Sequence, residues 1–199
     1  MRTVPGQRPT DNHPRFDILD LLVYLGCMIL ILTGPVGSGK TTLLKRVAVS
    51  LKEHDVRFTG YLSDRIMDGQ ETLGYNLVDV CDGEALPFLR KEGGEGWPRA
   101  GSFFITPEGV QAAWNIIRHN RAGELLIVDE IGPEELDGGG VWPALKNVLF
   151  IPSFWGLCVV RETILDNFRM ILENQPMKIF DVRNAGAFKG IIDAVLRPA

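Results

Sequence analysis

The residues best suited to do chemistry lie between positions 29 and 44, ILILTGPVGSGKTTLL. Gly34, Gly39, Lys40 and Thr41 keep the spacing GxxxxGK[ST], with Gly37 as a further glycine inside the loop. That pattern binds phosphate. Without Cβ atoms the glycines let the backbone N–H groups of Val36 to Thr42 close around a β-phosphate at a helix N-terminus, where the helix dipole favours negative charge. The candidate binding set is the whole loop: Gly34, Pro35, Val36, Gly37, Ser38, Gly39, Lys40, Thr41 and Thr42. Lys40 is expected to reach the β- and γ-phosphates, and the Thr41 hydroxyl to ligate Mg²⁺. The ligand implied is ATP, GTP or another nucleoside triphosphate, with Mg²⁺ as cofactor.

Phosphate binding becomes hydrolysis only when a metal is placed and a water is activated. Asp129 closes the apolar run LLIV, where a buried strand would present a carboxylate to Mg²⁺, through water. Glu130, next in the chain, could orient and deprotonate the attacking water; the plainer alternative for the pair is two solvated charges in a loop. Arg161 follows the run LCVV directly. It either emerges on the same sheet edge to contact the γ-phosphate, or makes a salt bridge with Glu162 or another surface carboxylate. Trp97 reads as an anchor for a glycine-dense loop rather than a platform for a base. His54 and His119 fall near predicted helix C-termini, where a cationic ring suits the dipole, so neither is a catalytic candidate.

The elements that must position these residues can be read from periodicity. A strand precedes the phosphate loop and a helix over about 40–53 follows it, with Leu43, Leu44, Val47 and Leu51 on one face. Val56 to Leu62, Leu73 to Val80 and Ala85 to Leu89 read as strands punctuated by Asp68-Gly69 and Asp82-Gly83, which predicts antiparallel hairpins. Residues 91–101, KEGGEGWPRAG, form the expected mobile loop. Thr106-Pro107 then starts a helix with a cap and a proline in its first turn. After Leu125 to Val128, strands and helices alternate: helix 141–150, strand 157–160, helix 163–173, strand 178–182 and helix 184–196. Such alternation predicts a mainly parallel sheet covered on both faces, with the hairpins added to it.

The chain has 199 residues, enough for one domain, and a formal net charge of −4 without a lysine or arginine cluster, which argues against nucleic acid as a partner. Residues 1–15 hold prolines and no apolar period, and are expected to be disordered. Phe16 to Leu32 is apolar, but Asp17 and Asp20 interrupt it and it falls short of the roughly 20 residues a membrane span needs; a short helix leading into the first strand is expected instead. Three cysteines without CxxC spacing argue against a disulfide framework or a zinc site. The expected organisation is an N-terminal extension, residues 1–27, and a nucleotide-binding domain, residues 28–199, in a cytoplasmic protein that needs no membrane and whose protein partners, if any, the sequence does not name.

Three segments, ILTGPVGSGKTTL, GYLSDRIMDGQETLGYNLVDV and LLIVDEIGPEEL, together resemble the small nucleoside-triphosphatase family of archaea, bacteria and animals, known in animals as cancer-related nucleoside-triphosphatase. The resemblance runs from about Met28 to Leu196, and its specific part is the DEIG segment combined with the paired GY motifs. It implies a RecA-like P-loop NTPase fold, a three-layer α/β sandwich. It also implies slow, Mg²⁺-dependent hydrolysis of several nucleoside triphosphates with loose base selectivity. The residues themselves, apart from the resemblance, make Lys40, Asp129, Glu130 and Arg161 the catalytic candidates and put Thr41 and Asp129 at the metal. Glu71, Thr72 and Glu134 depart from the family's usual residues, which touches substrate preference rather than the phosphate site. Two other readings use the same loop: a small-molecule or nucleotide kinase, and a nucleotide-dependent switch or assembly factor. The adjacent Asp129-Glu130 pair favours water as the acceptor.

Overall fold

The computed structural model describes residues 28–197; the expected N-terminal extension, residues 1 to 27, lies outside them. The chain starts with β1 (Ile29–Thr33) and α1 (Lys40–Glu53), then runs through β2 (Phe58–Asp68), β3 (Glu71–Asp79), β4 (Ala85–Arg90), β5 (Arg99–Ala100) and β6 (Phe103–Ile105). Next come α2 (Pro107–Arg118), β7 (Leu125–Ile131), α3 (Pro133–Leu136), α4 (Trp142–Leu149) and β8 (Gly156–Val160). A 3₁₀ turn (Glu162–Ile164), α5 (Leu165–Ile171), β9 (Met177–Asp181) and α6 (Ala187–Leu196) complete it.

All the strands join one nine-stranded sheet of order β5-β6-β4-β3-β2-β7-β8-β1-β9. From β2 through β7, β8 and β1 to β9 the neighbours are parallel, and from β2 outward through β3, β4, β6 and β5 they are antiparallel. β2 is the hinge between the two regimes: Phe58 to Tyr61 pair with β7, whereas Tyr61 to Asp68 pair with β3.

Strand alternation divides the apolar residues between two faces. Ile29, Ile31, Leu126, Val128, Cys158 and Val160 pack toward α2, α4 and α5 through Ile117, Leu145 and Phe168. Leu30, Leu32, Leu125, Ile127, Leu157 and Val159 pack toward α1 and α6 through Leu44, Val47, Ile191 and Val195. Helices therefore cover both faces of the central strands, and the fold is the expected three-layer α/β sandwich with an antiparallel extension on one side.

Several boundaries differ from the sequence reading. β7 runs on to Ile131 instead of ending at Val128, so Asp129 and Glu130 lie within the strand, and the expected loop 91–101 contains β5. β2 runs on to Asp68 rather than ending near Leu62, because its outer half is held by β3 while its side chains pass from buried to exposed. The expected helix 163–173 begins as a 3₁₀ turn. The last helix starts at Ala187 rather than Asn184, since the Asn184 side chain accepts from the Gly186 amide at 3.0 Å and holds a turn.

Candidate active site

β1, β8 and β7 lie side by side and parallel, so the loops at their C-terminal ends share one edge of the sheet. The glycine loop leaves β1, Arg161 follows β8, and Asp129 and Glu130 stand near the end of β7. The β7–β8 register shifts between Val128 and Ile131, which spans these two carboxylates.

The glycine loop folds onto its own lysine. Gly39 caps α1 in the left-handed region, φ 91°, and Leu43 closes the first helical turn onto its carbonyl at 2.9 Å. Lys40 is only 5% exposed, and its Nζ donates to the Gly34 and Pro35 carbonyls, 2.9 Å each. Ser38 braces the loop through its hydroxyl, which donates to Pro35 O at 2.7 Å. Val36, Gly37, Gly39 and Thr42 line the cleft beside Lys40. Every loop residue read from the sequence is therefore gathered here.

Thr41 and Asp129, both expected at the metal, lie together: the Thr41 hydroxyl donates to Asp129 Oδ2 at 2.8 Å. A second donor to the same oxygen is the Ser63 amide at 3.1 Å, a partner that sequence reasoning misses. Ser63 follows the buried Tyr61 by two positions on β2, and this parity is the available signal. Asp129 is 1% exposed, and burial pushes its carboxyl up to about 7 against the pull of the Ser63 and Thr41 hydrogen bonds; Glu130 pushes the same way and Lys40 opposes it. A hydroxyl and a buried carboxylate short of countercharge are hard oxygen donors that suit Mg²⁺, which takes one or two protein oxygens and completes its shell with phosphate and water.

Glu130 bridges two cations. One carboxylate oxygen lies 3.5 Å from Lys40 Nζ, and the other accepts from Arg161 Nε. Arg161 emerges on this edge, one of the two alternatives the sequence leaves open, and what it meets there is a carboxylate, as in the other. Its carboxylate partner there is Glu130, while Glu162 pairs with Arg183. Glu135, a neighbouring acid, serves the backbone instead. It is 8% exposed and accepts from the Gly132 amide at 2.8 Å and the Val141 amide at 3.3 Å, tying together the segment after β7. Burial pushes its carboxyl up to about 7, against those two hydrogen bonds.

His54 and His119 cap α1 and α2, each with its ring Nδ1 against a carbonyl one turn back. Trp97 packs against Gly94 within its own loop. Among the described residues Cys81 and Cys158 are free thiols, and no cluster of His, Cys, Asp and Glu forms an all-protein metal site. No helix among the described residues is long and apolar enough to cross a membrane.

One cleft of about 580 Å³ joins the phosphate loop, Asp129, Glu130 and Arg161, and continues past them onto the antiparallel extension. Its far wall carries Tyr75, Leu89, Ala100 and Phe103, which the sequence reading does not assign to the site. Only Tyr75 falls in a motif, the second GY pair; the others come from separate strands.

A glycine loop between β1 and α1, with a carboxylate at the end of a parallel strand one place removed in the sheet, defines a P-loop nucleotide-binding protein of the α/β class. The family model described as NTPase matches residues 29–186, and the chain belongs to that family. The chain is 32% identical over 146 residues to nucleoside-triphosphatase THEP1 of Pyrococcus abyssi, covering 71% of this chain and 79% of that protein. It is 34% identical over 106 residues to the THEP1 protein of Caldivirga maquilingensis, where the match takes in 52% of this chain and 58% of the relative. In shape it resembles the solution structure of a human cancer-related nucleoside triphosphatase, with a TM-score of 0.64, 23% identity, and 85% of this chain and 96% of that one covered. That likeness concerns the fold.

Proposed function

We propose that the protein hydrolyses nucleoside 5′-triphosphates to diphosphate and orthophosphate, with Mg²⁺ and with loose selectivity for the base. The observation that carries this reading is the convergence of Lys40, Thr41, Asp129 and Glu130 at one mouth of one cleft. Lys40 meets the β- and γ-phosphates, exchanging its loop carbonyls for phosphate oxygens, and the loop amides wrap the β-phosphate. Mg²⁺ held near Thr41 and Asp129 would neutralise charge on the β- and γ-phosphates. Glu130 takes a proton from a water whose oxygen attacks the γ-phosphorus; the bond from that phosphorus to the β–γ bridging oxygen breaks, and the diphosphate leaves with the electron pair. Arg161, already beside Glu130, supplies positive charge to the γ-phosphoryl group in cis. Base selectivity is loose in this reading because the convergent residues address phosphate, metal and water. The free thiols of Cys81 and Cys158 suit a reducing, cytoplasmic setting.

The test is phosphate release from the purified protein with each nucleoside triphosphate, with and without Mg²⁺ and with and without candidate acceptors. The expected result is Mg²⁺-dependent release that needs no acceptor. Glu130→Gln should bind nucleotide and lose turnover by roughly 10²- to 10⁴-fold, the range of a positioned general base. Release that appears only with an acceptor would assign the site to phosphoryl transfer instead.

A further inference from the structure

We propose that the cleft beyond Glu130 is a second subsite, which holds a neutral heteroaromatic molecule of the nucleoside type while a triphosphate occupies the loop. The inference rests on reading the loop as a triphosphate site.

The cleft is larger than hydrolysis requires, and in a specific direction. A triphosphate is a linear string whose γ end faces Lys40 and Glu130, so its ribose and base leave at the opposite end. Past the γ-phosphate a hydrolase needs room for one water, whose share of liquid volume is about 30 Å³. The cleft instead runs on across four strands of the antiparallel extension. Cross-strand pairing makes its floor a continuous row: Arg65 faces Tyr75, Tyr75 faces Leu89, and Leu89 faces Ile105. Directly opposed residues share one face of a sheet, so the row is fixed by register.

The chemistry of the row fits a flat ring. Tyr75 and Phe103 are half-buried and meet edge to face, with ring centroids 5.5 Å apart and planes at 84°. The Arg65 guanidinium lies 5.7 Å from the centroid of Tyr75. Glu134 and Asp137 also line the cleft. With Arg65 and the ion pair of Lys45 and Asp64 in the same lining, these groups carry mixed charge, which does not select a strongly charged ligand but offers donors and acceptors to the polar edge of a heterocycle. Apolar walls with a few convergent polar groups are the usual make-up of a small-molecule site.

The walls are also held in place. Trp114 on α2 donates from its indole N–H to the Gly140 carbonyl at 3.0 Å, which pins the segment after α3 against the cleft. The Thr106 hydroxyl donates to Pro87 O at 2.6 Å, tying the start of α2 to β4.

The experiment titrates adenosine, guanosine and cytidine into protein saturated with Mg²⁺ and the β,γ-imido analogue of ATP. Nucleosides carry no phosphate for the loop, and the analogue occupies the base position of the substrate. The expected result is one-to-one binding of at least one nucleoside to the loaded protein. It should be weakened about tenfold or more by Tyr75→Leu, which removes the stacking face, and by Ala100→Trp, which fills the cleft. Should either variant fail to fold, the exposed substitution Arg65→Ala serves, with binding weakened severalfold. No nucleoside binding to loaded wild-type protein, binding only without the analogue, or binding that all three variants leave unchanged would overturn the proposal. Failure of the analogue itself to bind would overturn the triphosphate reading beneath it, and the analogue titration is run first to separate the two.

Discussion

Removing the Arg161 guanidinium separates two roles that its position permits. The side chain is 44% exposed and its partner Glu130 is 23% exposed, so the ion pair is screened. Pairs in such settings contribute about 0.2–1 kcal/mol. The residue's backbone N–H, which donates to Ile131 O at 3.0 Å, survives substitution. Arg161→Ala should therefore lower stability by less than about 1 kcal/mol. If the same side chain carries charge to the γ-phosphoryl group, the rate loss is of another order: an arginine in that role is worth roughly 10³- to 10⁵-fold in turnover, or about 4–7 kcal/mol. The assay is single-turnover phosphate release at saturating nucleotide and Mg²⁺, paired with the urea midpoint of the same variant. Arg161→Lys keeps the charge without the planar fork and should recover part of the loss. Combining Arg161→Ala with Glu130→Gln tests independence, because an arginine that only orients Glu130 adds nothing once that carboxylate is gone. Turnover of Arg161→Ala within about tenfold of wild type would refute the assignment, leaving Arg161 as a surface partner of Glu130.

Asp129→Asn should raise the Mg²⁺ concentration needed for half-maximal hydrolysis by about tenfold or more, read from a Mg²⁺ titration at fixed nucleotide, because it removes charge beside the metal while leaving the loop intact. Glu135 predicts a pH dependence of stability: its carboxyl is pushed from 4.5 up to about 7 in the folded protein. The folded state therefore keeps this proton to higher pH than the unfolded chain, so the stability it contributes is full below about 4.5, falls as pH rises to about 7, and is constant above. At about 1.4 kcal/mol per pH unit the fall is at most about 3.5 kcal/mol. Urea midpoints across that window should show it in wild type and lose its Glu135 share in Glu135→Gln; identical curves would refute the burial argument.

The residues gathered at the phosphate loop were legible in the sequence because their motifs are local. Gly34 to Thr42 is one loop, Asp129-Glu130 closes one apolar strand, and Arg161 follows another, so parallel alternation alone brings them to one edge. The paired GY motifs were legible as a signature but not as physics, which the sheet supplies. A Cβ on Gly60 would lie 2.1 Å from the Ile127 carbonyl oxygen, and one on Gly74 would lie 2.2 Å from that of Leu89. Each glycine permits a close strand approach, and each following tyrosine then packs at a set place: Tyr61 fully buried, Tyr75 on the wall of the cleft. The Ser63 amide on Asp129 and the row Arg65, Tyr75, Leu89 and Ile105 depend instead on register between strands distant in sequence. The register is interrupted at bulges between Ile66 and Met67 and between Tyr75 and Asn76. A slip of one residue at the second would turn the outer face of β3 over and replace Tyr75 on the wall with Gly74 or Asn76. The residues proposed to act on phosphate stand in contiguous motifs, whereas those of the proposed second subsite are assembled by pairing. The sequence can thus indicate a triphosphatase while the character of its second wall stays hidden until the sheet is built.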